Sequence, residues 1–241
     1  MLDIIMEDEH ILVVRKKAGI ESQSGKSFAM DLASEIKTYL TRKSKEKTPA
    51  YVGVIHRLDR QVSGVMVYAK TKKAAAHLSK QVQDGTMKKY YYALLCGTPK
   101  EKSGTLVDYL LTDKRNNVTT VVDKHTQGAK YAELFYEVCP MNDWSEVDVL
   151  AKKYPEEIKD TTLVKVHLIT GRQHQIRVQF SSRNLSLFGD KKYNKHYNQG
   201  SNGKRVEAIG LCACQLSFVH PITNKEMTFY YEKNTNKKSL S

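Results

Sequence analysis

The chain has 241 residues, room for one large domain with a full core, and its 40% hydrophobic and 27% charged residues are ordinary for a soluble protein. Its 39 Lys and Arg against 26 Asp and Glu give a net charge of +13, which points to a polyanion as partner, nucleic acid or an anionic membrane. No apolar run approaches the roughly 20 residues of a membrane span, and no basic-then-apolar signal segment opens the chain, so a cytoplasmic RNA- or DNA-handling protein is the expected class.

In chain order, residues 4–20 read as a short hairpin, with acidic Glu7-Asp8-Glu9-His10 as its turn and a second turn at Ala18-Gly19. Ser27 to Leu40 carries Phe28, Leu32, Ile36 and Leu40 at four-residue steps, the pattern of a helix with one buried stripe. The basic stretch Arg42–Lys47 is read as a solvated loop or a phosphate-contacting arm. Next comes Val54 to Gly64, Val-Ile-His-Arg-Leu-Asp-Arg-Gln-Val-Ser-Gly, flanked by apolar runs at Val52–Ile55 and Val65–Ala69. The single carboxylate, Asp59, is expected at a bend between two strands, where a rigid sheet presents it. Arg57 and Arg60 beside it favour its ionised form, leaving it available as a nucleophile or a charge partner. Taken alone, these three residues read first as a surface ion network.

Thr71 is placed to cap a helix from Lys72 to about Val82, with Ala75, Leu78 and Val82 inward and Gly85 as its stop. Lys88 to Gly97 is aromatic and apolar enough for a strand, with Tyr91, Ala93 and Leu95 on one face and Tyr90, Tyr92 and Leu94 on the other. Residues 104–139 predict a three-strand meander, Thr105–Leu111, Val118–Val122 and Lys130–Val138. Met141 to Asp160, which holds the single tryptophan Trp144, predicts an irregular or partly helical excursion, a substrate-reading loop or a long connection. Thr161 to Ile169 alternates as a strand, and Thr170 is placed to cap a helix over Arg172–Phe180 whose start would favour anions. Tyr197 to Arg205 is a polar loop, and the tail from Asn234 is polar and basic. Four cysteines (Cys96, Cys139, Cys212, Cys214) are too few for a disulfide scaffold at this length. Cys212 and Cys214 stand too close for the usual zinc spacing and read as buried thiols, so no metal is expected.

His-Arg-Leu-Asp-Arg-x-x-Ser-Gly resembles the central motif of the RluA-type pseudouridine synthases. Four further blocks follow in that family's order: Lys89-x-Tyr91-x-Ala93, Gly171-Arg172-x-His174-Gln175-Ile176-Arg177, Gly189-Asp190-x-x-Tyr193 and His220-Pro221-x-Thr223. The departures are Lys17, Gln173, Gln179 and Asn194, where the family usually has Pro, Thr, His and Gly. The resemblance implies an α+β fold: a mixed, largely antiparallel bent sheet with flanking helices and a central basic cleft. It also implies one catalytic domain over 1–241 without the small N-terminal RNA-binding domain of some relatives, acting as a cytoplasmic monomer.

The implied reaction converts uridine in ribosomal or transfer RNA to pseudouridine, with no metal, nucleotide or other cofactor. By resemblance Asp59 is the nucleophile, attacking the sugar or the base, and Tyr91 packs on the flipped base and is open to taking the carbon-5 proton. Arg177 would pair with Asp59, Arg57 would enter the helix in place of the flipped base, and Arg60, Arg172 and His174 would shape the cleft and contact phosphate. Two other classes stand beside it: a non-catalytic RNA binder, which has no need of a carboxylate facing a polyanion, and a glycosidase or nucleosidase. Most glycosidases use a pair of acids, and no second acid here has a comparable setting.

Overall fold

The computed structural model describes residues 2–23, 31–44, 48–194 and 209–232. They form a mixed α+β fold with mostly antiparallel strands and, among the described residues, four α-helices. The chain gathers into two compact units: Met1–Lys89 with Ala213–Ser241, and Tyr90–Cys212.

In the first unit, β1 (Asp3–Glu7) and β2 (Ile11–Lys16) form the expected hairpin. Asp8 closes it, its carboxylate accepting the N–H groups of His10 and Ile11 at 2.7 and 2.8 Å. Ile11 through Val14 are fully buried, as a continuous apolar run requires of a strand covered on both faces. Helix α1 (Leu32–Lys43) starts where Asp31 accepts the Ser34 N–H at 2.7 Å, and buries Leu32, Ile36 and Leu40. The predicted start at Ser27, with Phe28, lies outside the described residues, as do Lys45–Lys47, the loop expected at Tyr197–Arg205 and the expected tail from Asn234. The short β3 (Gly53–Val54) and long β4 (Ser63–Ala69) pair antiparallel, and β4 also pairs with β2.

Helix α2 (Lys72–Gln83) is capped by Thr71, as expected, but its buried face is turned by one residue. Ala74, Leu78 and Gln81 are buried, while Ala75 and Val82 sit at the margin of the core. The cause is Gln81, whose side-chain amide brackets the Val219 backbone, donating to its carbonyl at 2.7 Å and accepting its N–H at 2.8 Å. That carries a polar residue inward with its hydrogen bonds satisfied. Strand β10 (Leu211–Val219) brings the chain back into this unit beside β4 and pairs with β11 (Glu226–Tyr230). The His220-Pro221-Ile222-Thr223 turn between them is held by His220, whose Nδ1 accepts two backbone N–H groups while Nε2 meets Asp8 at 2.8 Å.

In the second unit, β5 (Lys88–Cys96, its first two residues still in the first unit) and β9 (Thr161–Leu168) are neighbours, with β8 (Lys130–Val138), β6 (Ser103–Asp113) and β7 (Val118–Val122) following in that order. The expected meander is therefore corrected. The long β6 pairs with both β7 and β8, and β7 is the edge. Five residues of β7 cannot match the eight-pair ladder that β6 and β8 form, so β8 crosses back to the longer partner. The 141–160 excursion is a 3-10 turn (Met141–Asp143) followed by α3 (Glu146–Lys153). It packs inward: Trp144, Val147, Leu150 and Tyr154 are buried, Trp144 lies parallel to the Tyr92 ring, and Tyr154 meets Phe188 edge-on.

Helix α4 spans only Gln175–Ser181, three residues later than predicted, and Thr170 is not its cap. Thr170 Oγ1 instead accepts the Glu133 N–H and donates to Gln175 Oε1, both at 2.8 Å, tying the end of β9 to β8. The helix follows His174, whose φ of 53° is left-handed and which makes no side-chain cap bond. Val178 packs on Leu110 and Ala132 of the sheet.

Candidate active site

Asp59 is on the connection between β3 and β4, at the expected bend, and its neighbours on either side are fastened down. Before it, the buried Ser22 hydroxyl accepts the Leu58 N–H at 3.0 Å and donates to the Leu58 carbonyl at 2.9 Å. After it, the Arg60 carbonyl accepts the Gly19 N–H at 2.8 Å and Lys16 Nζ at 3.1 Å, while Arg60 Nε donates to the Gly19 carbonyl at 3.0 Å. The Asp59 carbonyl accepts the Val62 N–H at 3.0 Å and closes the turn. Half-buried Asp59 thus rides on a backbone fixed at both flanks.

Lys16 is fully buried, and burial pushes its pKa down to about 8 against the opposing pull of the Asp59 charge. Of the two arginines that flank Asp59 in sequence, Arg57 lies exposed, and Arg60 places its Nε on the Gly19 carbonyl. The signal for Lys16 was a lysine closing the strand that begins with the apolar run Ile11–Val14, which is fully buried. His56 looks like a proton carrier by position. Burial, with the Lys89 charge adding to it, lowers its pKa to about 3, and Nε2 accepts the Val67 N–H at 3.3 Å, so it is a neutral structural group.

Gly64 explains why the motif ends in glycine. With φ at +152°, it faces Ala213 so closely that a Cβ would stand 2.8 Å from the Ala213 backbone nitrogen and Cα. The start of β4 can approach β10 only without a side chain there.

The second unit holds Tyr91, Arg172, His174 and Arg177. Tyr91 is buried on the face of β5 opposite its two neighbours. Tyr90 stacks on His167 at 4.6 Å with the Lys165 ammonium over its ring, and Tyr92 lies against Trp144, so the three adjacent tyrosines have separate surroundings. Arg172 is exposed, with Nε donating to the Tyr131 carbonyl at 2.8 Å. Arg177 is buried and forms a two-pronged pair with the fully buried Asp190, Nε to Oδ2 at 2.8 Å and Nη2 to Oδ1 at 2.7 Å. Its guanidinium also lies over the Tyr193 ring, 5.1 Å from the centroid. The Tyr193 hydroxyl accepts the Thr119 N–H at 2.9 Å and meets His174 Nδ1 at 2.7 Å. Arg177 and His174 are therefore joined through Asp190 and Tyr193, two residues that the Gly-Asp-x-x-Tyr block marked without a role.

Gln179, one of the departures from the family pattern, is fully buried and satisfied by the Leu106 carbonyl, Asp108 and Gln175. Among the described residues no group of three or more His, Cys, Asp or Glu is placed to hold a metal ion, and no helix is long and apolar enough to cross a membrane.

The family model described as RNA pseudouridylate synthase matches residues 10–182, a stretch that contains Asp59, Tyr91 and Arg177. The chain belongs to the RNA pseudouridylate synthase family. Its relatives make it RluA-type. The dual-specificity RNA pseudouridine synthase RluA of Vibrio vulnificus is 31% identical over 91% of this chain and 78% of its own length. An RNA pseudouridine synthase of Mycoplasma pneumoniae is 33% identical over 95% of this chain, which spans 65% of that relative. The ribosomal large subunit pseudouridine synthase C of Vibrio vulnificus is 28% identical over 93% of this chain, which spans 63% of it. The solved structure of human RNA pseudouridylate synthase domain containing 1 shares the fold, with a TM-score of 0.71 at 20% identity over 95% of this chain and 82% of that one.

Proposed function

We propose that this chain isomerises uridine to pseudouridine in ribosomal or transfer RNA, with Asp59 as the nucleophile. The observation that carries the reading is the double fastening of the Asp59 turn, Ser22 on Leu58 and Lys16 with Gly19 on Arg60. A surface ion pair needs no such fixed backbone, whereas a nucleophile gains rate from being held in place before reaction. A relative named as a ribosomal large subunit pseudouridine synthase supports ribosomal RNA as a substrate class.

The target uridine must leave its stack, at a cost of a few kcal/mol. Arg57, exposed one residue before Leu58, fills the space in the helix left by the base. Asp59 attacks the sugar or the ring, the carbon–nitrogen bond breaks, and the uracil turns. The ring rejoins the ribose through carbon 5, the bond made by Asp59 breaks and returns the free carboxylate, and carbon 5 loses its proton while the ring nitrogen gains one, so atoms and electrons balance without a cofactor. Tyr91 packs on the base and is a candidate to take that proton. Arg177 supplies a directed donor for the negative charge of the nucleophile. Arg60 and Arg172 contact phosphate. The enzyme acts as a monomer in the cytoplasm.

The test is Asp59→Asn. Pseudouridine formation in the RNA that the wild type modifies should fall below detection while RNA affinity stays within about threefold. Unchanged turnover in this variant would remove the nucleophile and the reading with it.

A further inference from the structure

We propose that Asp190 and Tyr193 are positioning residues for Arg177, holding its guanidinium in one orientation with its net charge already balanced. The inference rests on the reading that Arg177 serves uridine isomerisation, but the geometry behind it stands by itself. A guanidinium has two ways to wander, within its plane and by tilting out of it. The two-pronged bond to Asp190 stops the first, because Nε and Nη2 each face a different carboxylate oxygen at 2.7–2.8 Å. The Tyr193 ring beneath the Arg177 guanidinium stops the second.

Both supports are themselves tied. Asp190 Oδ1 also accepts the backbone N–H groups of Lys192 at 2.9 Å and Tyr193 at 3.2 Å. The Tyr193 carbonyl accepts Ser181 Oγ at 2.6 Å and Ser186 Oγ at 3.1 Å. Its hydroxyl accepts the Thr119 N–H and shares a second hydrogen bond with His174 Nδ1. That bond gives His174 a supporting place in this network. Lys192 Nζ reaches the Asn117 carbonyl at 2.7 Å, and Gln173 bonds Asn117, so the tip of the β6–β7 hairpin is fastened to the same turn.

Balancing the charge matters as much as fixing the angle. Arg177 is 7% exposed and Asp190 0%, so the pair sits where an unmatched charge is costly. A guanidinium matched this closely attracts phosphate weakly but still offers directed N–H groups. The arrangement therefore suits a step in the chemistry rather than capture of RNA.

Two variants test this. Asp190→Asn keeps the shape and removes the balancing charge, and Tyr193→Phe keeps the ring under Arg177 while cutting the links to Thr119 and His174. Under the proposal, kcat falls about a hundredfold in the first and about tenfold in the second, with KM for RNA within about twofold. The Arg177 Nε–H signal in NMR, assigned by its loss in Arg177→Lys, should be sharp and slow to exchange in the wild type and should broaden in both variants. If Asp190→Asn does not fold, Tyr193→Phe carries the test alone. A lower melting temperature with an unchanged Nε–H signal and unchanged kcat would overturn the proposal, leaving Tyr193 a packing residue. If the wild type isomerises no uridine while the Nε–H signal responds as stated, the functional reading fails and the positioning of Arg177 stands.

Discussion

His56 lies three residues before Asp59, near enough in sequence to suggest a proton shuttle, yet its ring is held neutral by burial with Lys89 adding to the effect. The folded pKa of about 3 lies below the ordinary histidine value of 6.5, so between these two pH values the unfolded chain binds more protons at this group than the folded one. Stability therefore rises with pH across that window and is lost as pH falls from 6.5 toward 3. His56→Gln keeps an acceptor for the Val67 N–H and removes the titration. Its acid-unfolding midpoint should move to lower pH, while activity between pH 6 and 8 should stay within about threefold. A wild-type acid midpoint retained in the variant would show that His56 is not the proton-binding group. Gly64 carries a related lesson: its motif position reflects close approach to Ala213, a packing demand with no chemistry in it.

At the scale of elements, the turn bearing Asp59 depends on partners from the N-terminal hairpin and the segment just after it. Ser22→Ala leaves both the N–H and the carbonyl of buried Leu58 without their partner, a loss of about 1–3 kcal/mol for an unsatisfied buried group. Both stability and turnover should drop, with kcat affected more than RNA affinity; calorimetry and single-turnover kinetics together would check this. A lower melting temperature at unchanged kcat would mean that Ser22 supports the fold but not the nucleophile. Much of this architecture was legible in the sequence, because alternation at β5 and β9, the stripe of α1 and the Thr71 cap of α2 are local signals. The failures came where distant partners decide. Thr170 has a cap's chemistry, but the Glu133 N–H on a neighbouring strand claims it. Gln81 turns α2 because the Val219 backbone, far along the chain, needs a partner. The order β7–β6–β8 follows from strand length and pairing, which no single segment reveals. The site divides the same way: the motif names Asp59, while Lys16 and Ser22 act on its turn through contacts that spacing does not encode.

For the whole molecule the governing quantity is the surplus of 13 positive charges. Ion pairing cannot reduce it. Each acid held by a base, as Glu7 is by Lys70 and Lys43 or Asp108 by Arg183, removes charge of both signs and leaves the excess on the remaining lysines and arginines. Binding of RNA should then release counterions and weaken as salt rises. If about five phosphates are neutralised, at roughly 0.7 per phosphate for single strands, raising salt from about 50 to 200 mM should cost about a hundredfold in affinity. Filter binding or fluorescence anisotropy across that range measures the slope, and a flat response would remove the phosphate contacts from the proposed function. Arg57 sharpens the test. A residue that replaces a flipped base contacts no phosphate, so Arg57→Ala should abolish most turnover while leaving the salt slope unchanged. A slope reduced by about 0.7 would instead make Arg57 an ordinary phosphate ligand, and the space left by the base would need another occupant.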